Sequence, residues 1–356
     1  MTTRAPPVSA CVVNYNGEHY LARCLEALHR TDGVDEIIVA DDASTDRSVE
    51  LVRECFPSAR VLELPRNRGP AAARNAAFRA ARNDQVLFVD NDVYVPADIA
   101  TQLGRALEAY PSAAIAVPRL VRCAAPEVVQ FDGAEAHFLG THTLLHADTP
   151  LSSAPIDLRT TDTSMVSACF VIDRHRWGTG DPFDESFFMY LEDHEFGFRC
   201  RALGFRIVSV PAVQCLHDSG TLGISIRQMG TYSAVRVRGL IENRWQVLVK
   251  GYQPRTLIVL GPLLLLYELA QLALVLRKGW LRHWSASVRS IAGRFPDLWK
   301  RRRELQRRRT VADRDILRGG SLPFTGHLAT TGAQRAAQRV LDGAARWYWH
   351  TTRRLI

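Results

Sequence analysis

From residue 8 to residue 90 the chain alternates short apolar runs with amphipathic stretches, and few folds accept that rhythm. "VSACVVNY" reads as a strand, and "GEHYLARCLEALHRT" as a helix whose Tyr20, Leu21, Cys24, Leu25 and Leu28 share one face. "DEIIVADD" is a second strand, "DRSVELVRECF" a helix and "RVLELP" a strand; "GPAAARNAAFRAA" is a helix with Pro70 at a permitted early position, and "QVLFVD" a further strand. This alternation predicts an α/β fold with a doubly wound, mostly parallel sheet. Such sheets bind ligands beyond the carboxyl ends of their strands. The unusual polar residues stand there: Asn14 to Asn16, Asp41 with Asp42, and Asp90 with Asp92.

In "VLFVDNDVYVP" two carboxylates one residue apart close a buried run, so either a solvated turn or a nearby cation must relieve their repulsion. Asp42, followed by "ASTD", is a pure acceptor that suits the N3–H of a pyrimidine base. Ser44 or Asp46 can cap the next helix alongside it. "RNRGPAAARNAA" sets Gly69 at a helix start and Arg74 one turn in. Backbone and guanidinium can then meet an anionic nucleotide, unless this is simply an alanine-rich helix with exposed arginines. A second acidic cluster, "MYLEDHEFGFRCRALGF", puts Glu192, Asp193 and Glu195 in a first helical turn, where the helix dipole alone would favour them.

Taken together and in this order, "VVNYNGEHYLARCLEAL", "EIIVADDASTD", "RNRGPAAARNAA", "VLFVDNDV" and "FMYLEDHEFGFRCRALGF" resemble the family 2 glycosyltransferases with their GT-A fold, over roughly residues 8 to 220. The resemblance implies a nucleotide-diphosphate sugar as donor and a divalent cation, Mg²⁺ or Mn²⁺, as cofactor. It places Val13, Asn14, Tyr15, Asn16, Asp42, Gly69, Arg74, Asp90 and Asn91 around the donor. "DND" matches the D-x-D element, with Asp92 as metal ligand and His217 of "VQCLHDSG" as a second. Asp193 becomes the base that deprotonates the acceptor hydroxyl, helped by Glu192. One base and one good leaving group imply direct displacement with inversion. A sparse protein site is enough for such a cation, because substrate phosphates complete its shell. A glycosidase would also use two carboxylates, but it has no need of Asp42, Arg74 and a D-x-D element.

Charge divides the chain of 356 residues in two. Residues 251–356 hold 20 Lys+Arg against 6 Asp+Glu, a net +14, which leaves −6 for residues 1–250. The expected organisation is a catalytic domain at 1–220, with nucleotide-sugar binding in about 8–120 and the acceptor and base part in about 121–220, and a basic helical region at 221–356. The helical segment "TYSAVRVRGLIENRWQVLVKGY" carries Arg236, Arg238, Asn243 and Arg244, either beside an acceptor phosphate or donor or as a basic helix face. "TLIVLGPLLLLYELAQLALVL", residues 256–276, is long enough to cross a bilayer. Pro262, Glu268 and Gln271 interrupt it, and Glu268 would be costly at mid-membrane, which favours a helix in the interface. Trp280, Trp284, Phe295 and Trp299 among dense arginines suit a headgroup layer, and "GAQRAAQRVLDGAARWYWHTTRRLI" reads as another amphipathic basic helix. A nucleic-acid-binding tail is the rival, but it has no use for the apolar run, so no nucleic acid is expected.

These features imply a peripheral or monotopic enzyme on the cytoplasmic face of the cell membrane. The implied acceptor is lipid-linked or membrane-proximal, for cell-envelope polysaccharide or glycolipid, and bacterial rhamnosyltransferases acting on lipid-linked sugars look similar in layout. The seven cysteines form no C-x-x-C pair, and "MTTRAPPVSA" has no long apolar core, in keeping with a reducing compartment. Donor base and sugar are left open.

Overall fold

A computed structural model describes residues 6–156, 163–164, 166–178, 180–218, 233–320 and 331–356. The first half runs β1 (Val8–Asn14), α1 (Glu18–His29), β2 (Val34–Asp41), α2 (Ser48–Cys55), β3 (Arg60–Glu63), α3 (Pro70–Ala80), β4 (Gln85–Asp90), β5 (Val93–Tyr94), α4 (Ile99–Ala109) and β6 (Ala113–Arg122). There follow β7 (Ala125–Phe131), β8 (Ala134–His137), β9 (Thr141–Leu144), β10 (Cys169–Asp173), α5 (Arg174–Trp177), α6 (Glu192–Ala202) and β11 (Arg206–His217). The rest is α7 (Ala234–Gly251), α8 (Pro254–Arg277), α9 (Leu281–Arg308), α10 (Asp313–Ile316), β12 (Leu317–Arg318) and α11 (Gly332–Thr352).

The main sheet has the order β3-β2-β1-β4-β10-β6-β11-β5, with β7 on β6. β1, β2, β3 and β4 pair in parallel, as do β6 and β11, whereas β10, β5 and β7 pair antiparallel to their neighbours. β1 and β4 are buried along almost their whole length, which is why both read as continuous apolar runs rather than alternating ones. Leu21, Cys24, Leu25 and Leu28 of α1 close one face of the sheet with Leu103 and Leu107 of α4. The other face is covered by Ala73, Ala77 and Phe78 of α3 with Trp177 and Phe196. The register pairs Asn14 with Asp41 and Val13 with Asp90, so the polar tips of three strands stand side by side.

Ten of the eleven residues of α6 are buried. Phe196 and Cys200 face the sheet, while Phe198 and Ala202 meet Val247, Leu248, Tyr252 and Leu260 from α7 and α8 with their flanks. The basic region therefore packs on the helix that opens with Glu192 and Asp193. The boundary expected at residue 220 lies outside the described residues.

Candidate active site

Seen from the strand tips, the first surprise is how many expected ligand-binding groups hold one another. The Asn14 amide donates to Asp41 Oδ1 (2.8 Å) and its oxygen accepts from Asn91 Nδ2 (2.7 Å), which stitches β1, β2 and the turn after β4. Asn14 and Asn91 thus form the wall of the site, while Val13, Tyr15 and Asn16 are half-buried beside them. Asn16 takes the left-handed conformation (φ 50°), and its side chain accepts from the Thr45 amide (2.7 Å).

Asp42, expected to meet a base, uses its two oxygens to accept the amides of Arg68 (2.8 Å) and Gly69 (2.7 Å). Burial raises its pKa, against these two bonds. In the structure it is a clamp on the loop before α3. Gly69, expected to let a nucleotide approach, adopts φ +85°, and a Cβ there would stand 1.8 Å from the Phe188 carbonyl oxygen. The close approach belongs to the segment leading into α6.

Arg74 is also redirected. Its guanidinium is 2% exposed and lies between two acids, with Nη2 donating to Asp90 Oδ1 (2.8 Å) and Nη1 to Glu192 Oε1 (3.2 Å). The counter-charge that Asp90 requires is thus a side chain from α3, and the same side chain reaches the second acidic cluster 118 positions away. Burial and the adjacent Asp193 raise the Glu192 carboxyl to about 7, against the pull of Arg74.

Asp92 meets His217, whose Nε2 is 3.3 Å from Oδ2. The antiparallel pairing of His217 with Val93 delivers the imidazole from the end of β11. Gln130 Oε1 lies 2.9 Å from the other ring nitrogen, Nδ1. A donor bond from Nδ1–H to that amide oxygen orients the ring with Nε2 toward Asp92, the orientation a metal-binding histidine requires. A carboxylate oxygen and an imidazole nitrogen so placed fit a divalent cation. Among the described residues no third His, Cys, Asp or Glu completes a cluster, so the remaining ligands would come from phosphate oxygens and water.

The chain enters α6 through two consecutive left-handed residues, Tyr190 (φ 69°) and Leu191 (φ 61°). A turn so uncommon for large side chains needs outside support. Asn243 of α7 gives it by donating to the carbonyls of Met189 (2.8 Å) and Tyr190 (2.7 Å). Asp193, 8% exposed, accepts from the His194 amide (2.7 Å) and from the Ser167 hydroxyl. Beside it, burial lowers the pKa of His142 while Asp193 pulls the other way. The His142 ring centroid is 5.4 Å from that of His194.

Gln130, Ser167 and Asn243 are therefore parts of the site. The sequence places Asn243 beside an acceptor phosphate or donor or on a basic helix face, whereas in the structure it holds the turn before α6. Gln130 and Ser167 carry no local signal, since tertiary pairing alone brings them in. Of the other residues of that α7 stretch, Arg244 turns inward, donating from Nε to the Leu139 carbonyl (2.7 Å) and from Nη1 to Glu268, whereas Arg238 stays exposed and pairs with Glu242 on its own helix (3.2 Å).

The model of the family described as "Glycosyl transferase family 2" matches residues 9–138. The chain carries a family 2 glycosyltransferase domain. An uncharacterized glycosyltransferase of Haemophilus influenzae is 35% identical over 97 residues, covering 26% of this chain and 39% of that protein. The succinoglycan biosynthesis protein ExoO of Rhizobium meliloti is 36% identical over 134 residues, 36% of each chain. The chain thus spans less than half the length of these relatives. In fold it is similar to GalNAc-T7, crystallised with UDP, GalNAc and Mn²⁺, at a TM-score of 0.55 and 15% identity over 71% of this chain and 49% of that one. Glu192, Asp193 and His217 lie beyond the segment the family model matches, so in this chain their juxtaposition with Asp90 and Asp92 is a matter of geometry.

Proposed function

We propose that this chain transfers a sugar, with inversion, from a nucleotide-diphosphate donor to an acceptor hydroxyl held next to Asp193. One observation carries the reading: the buried Arg74 ties the half-buried D-x-D carboxylate Asp90 to the buried Glu192, so the expected donor end and the expected base end form one electrostatic unit. The donor lies against the strand tips, with Asn14, Tyr15, Asn16 and Asn91 lining its site. Asp92 and His217 would hold the divalent cation. Bound there, that ion offsets the negative charge gathering on the departing diphosphate. Asp193 takes the acceptor proton as the acceptor oxygen attacks the anomeric carbon, and the Ser167 hydroxyl and His194 amide keep its carboxylate oriented.

The acceptor is membrane-proximal or lipid-linked, and the enzyme works at the cytoplasmic face of the membrane in making an envelope polysaccharide. The biosynthetic role named for the Rhizobium relative supports the polysaccharide part. α8, whose most apolar 18-residue window has a mean hydropathy of 2.0 and is only 17% buried, supports the membrane part and speaks against a tail built for nucleic acid. The test is a panel of UDP-, dTDP- and GDP-sugars, with thermal shift and release of nucleoside diphosphate read with and without EDTA. One donor should be hydrolysed slowly and only with the cation. Silence from every donor with either cation would overturn the reading.

A further inference from the structure

Between α8 and α11 runs a groove of 240 Å³ walled by aliphatic and aromatic side chains, among them Leu139, Pro262, Leu263, Leu266, Ala344 and Trp347. Its lips, Leu266 and Trp347, are 47% and 69% exposed, whereas Leu139 at its floor is buried. The hydroxyl of Tyr348, a polar group on its wall, donates to the Val259 carbonyl (2.6 Å), so it asks nothing of an occupant. A slot of this chemistry recognises hydrocarbon.

Two further observations say what kind of hydrocarbon. The apolar span of α8 is bounded by basic residues at both ends, Arg255 on one side and Arg277 with Lys278 on the other, all exposed. A body without charge and an anionic head is the complement of that pattern. The turn that floors the groove also lies close along the chain to the neighbours of the catalytic pair. Leu139 lies in the turn before β9, and three positions on is His142, which even a fully extended chain would leave no more than about 10 Å away. The His142 ring in turn lies tilted 5.4 Å from that of His194, the neighbour of Asp193. The floor is held firmly, because Arg244 binds the Leu139 carbonyl and lies 4.4 Å from the ring centroid of Tyr267 on the groove wall.

We propose that this groove holds the hydrocarbon chain of a phosphorylated lipid acceptor, whose polar end then reaches Asp193. This rests on the transferase reading and adds a binding site to it. Each methylene that enters the groove strengthens binding by about fourfold, so affinity depends on chain length until the groove is full.

The experiment uses the full chain and two bromine-tipped probes below their micelle concentrations, a hexadecyl phosphate and a butyl phosphate, with tryptophan quenching as readout. The long probe should quench saturably at a concentration at least about tenfold lower than the short one, and Trp347→Phe should remove the quenched component. Ala344→Phe and Ala270→Phe, at exposed positions on opposite walls, should each raise half-saturation about tenfold while leaving acceptor-free donor hydrolysis unchanged. Equal response to both chain lengths, as a protein-docking face would give, overturns the proposal. So does an unchanged half-saturation in both filled variants. Donor hydrolysis judges the transferase reading by itself: its absence in the unsubstituted chain would sink that reading, and quenching would still decide the groove.

Discussion

Arg74 shows how a residue can be found for one reason and work for another. Its place one turn into α3 marks it in the sequence as a nucleotide-facing cation, but burial gives it a different task, holding Asp90 and Glu192 together. The sequence reveals charges, whereas their partners can stand 118 positions away. Glu192 offers the sharpest test at this scale. Its carboxyl is raised from 4.5 to about 7, so the folded protein keeps a proton that the unfolded chain has already released. The resulting stabilisation is fully present below pH 4.5 and is lost as pH rises through about 7. Urea unfolding at pH 5, 6, 7 and 8 should show wild type losing stability relative to Glu192→Gln over that window. Parallel curves would mean that the carboxyl is not perturbed.

For whole elements, the first four parallel strands and their helices were legible because each carries its own period and its own turn residues. The strand tips were legible too, since polar residues at the ends of buried runs stand out. β10 was not, because nothing in "CFVID" says that it enters antiparallel between β4 and β6. Nor was the reason for Gly69, whose constraint comes from the Phe188 carbonyl. The turn before α6 is held from outside in the same way, by Asn243 of α7. Asn243→Ala leaves two carbonyls without that donor, and a cost of about 1–3 kcal/mol is expected. Because the Asp193 carboxylate sits directly after that turn, turnover should fall several-fold while donor affinity holds. Equilibrium unfolding and the split between kcat and donor Kd check both parts. A variant with unchanged turnover would free the turn from any part in positioning the base.

The molecule as a whole joins an acidic front half to a basic region that carries an exposed apolar face: Ile258, Leu265, Leu269 and Leu276 on α8, and Trp347 on α11. Glu268, the residue that argued against burying α8 in a membrane, faces inward to Arg244 and the Trp245 indole nitrogen (3.0 Å). One face of the helix is therefore committed to protein and the other is open, as a helix lying in the interface requires. Vesicle flotation should show binding to anionic lipid that high salt weakens but does not abolish, since each basic residue near the surface adds about 1 kcal/mol and apolar insertion is not screened. Flotation on neither anionic nor neutral vesicles would remove the membrane from the account.

The central claim is that one site, spanning Asp92 and Asp193 through Asp90, Arg74 and Glu192, both holds the donor and deprotonates the acceptor. The direct measurement is donor affinity and turnover, determined separately for Asp92→Ala and Asp193→Asn with whichever nucleotide sugar the panel identifies. Asp193→Asn should lose about 10²-fold or more in turnover with donor affinity nearly unchanged, while Asp92→Ala, like EDTA, should weaken donor binding and abolish transfer. Full activity in EDTA, or an Asp193→Asn enzyme that loses donor affinity and keeps its turnover, would contradict it.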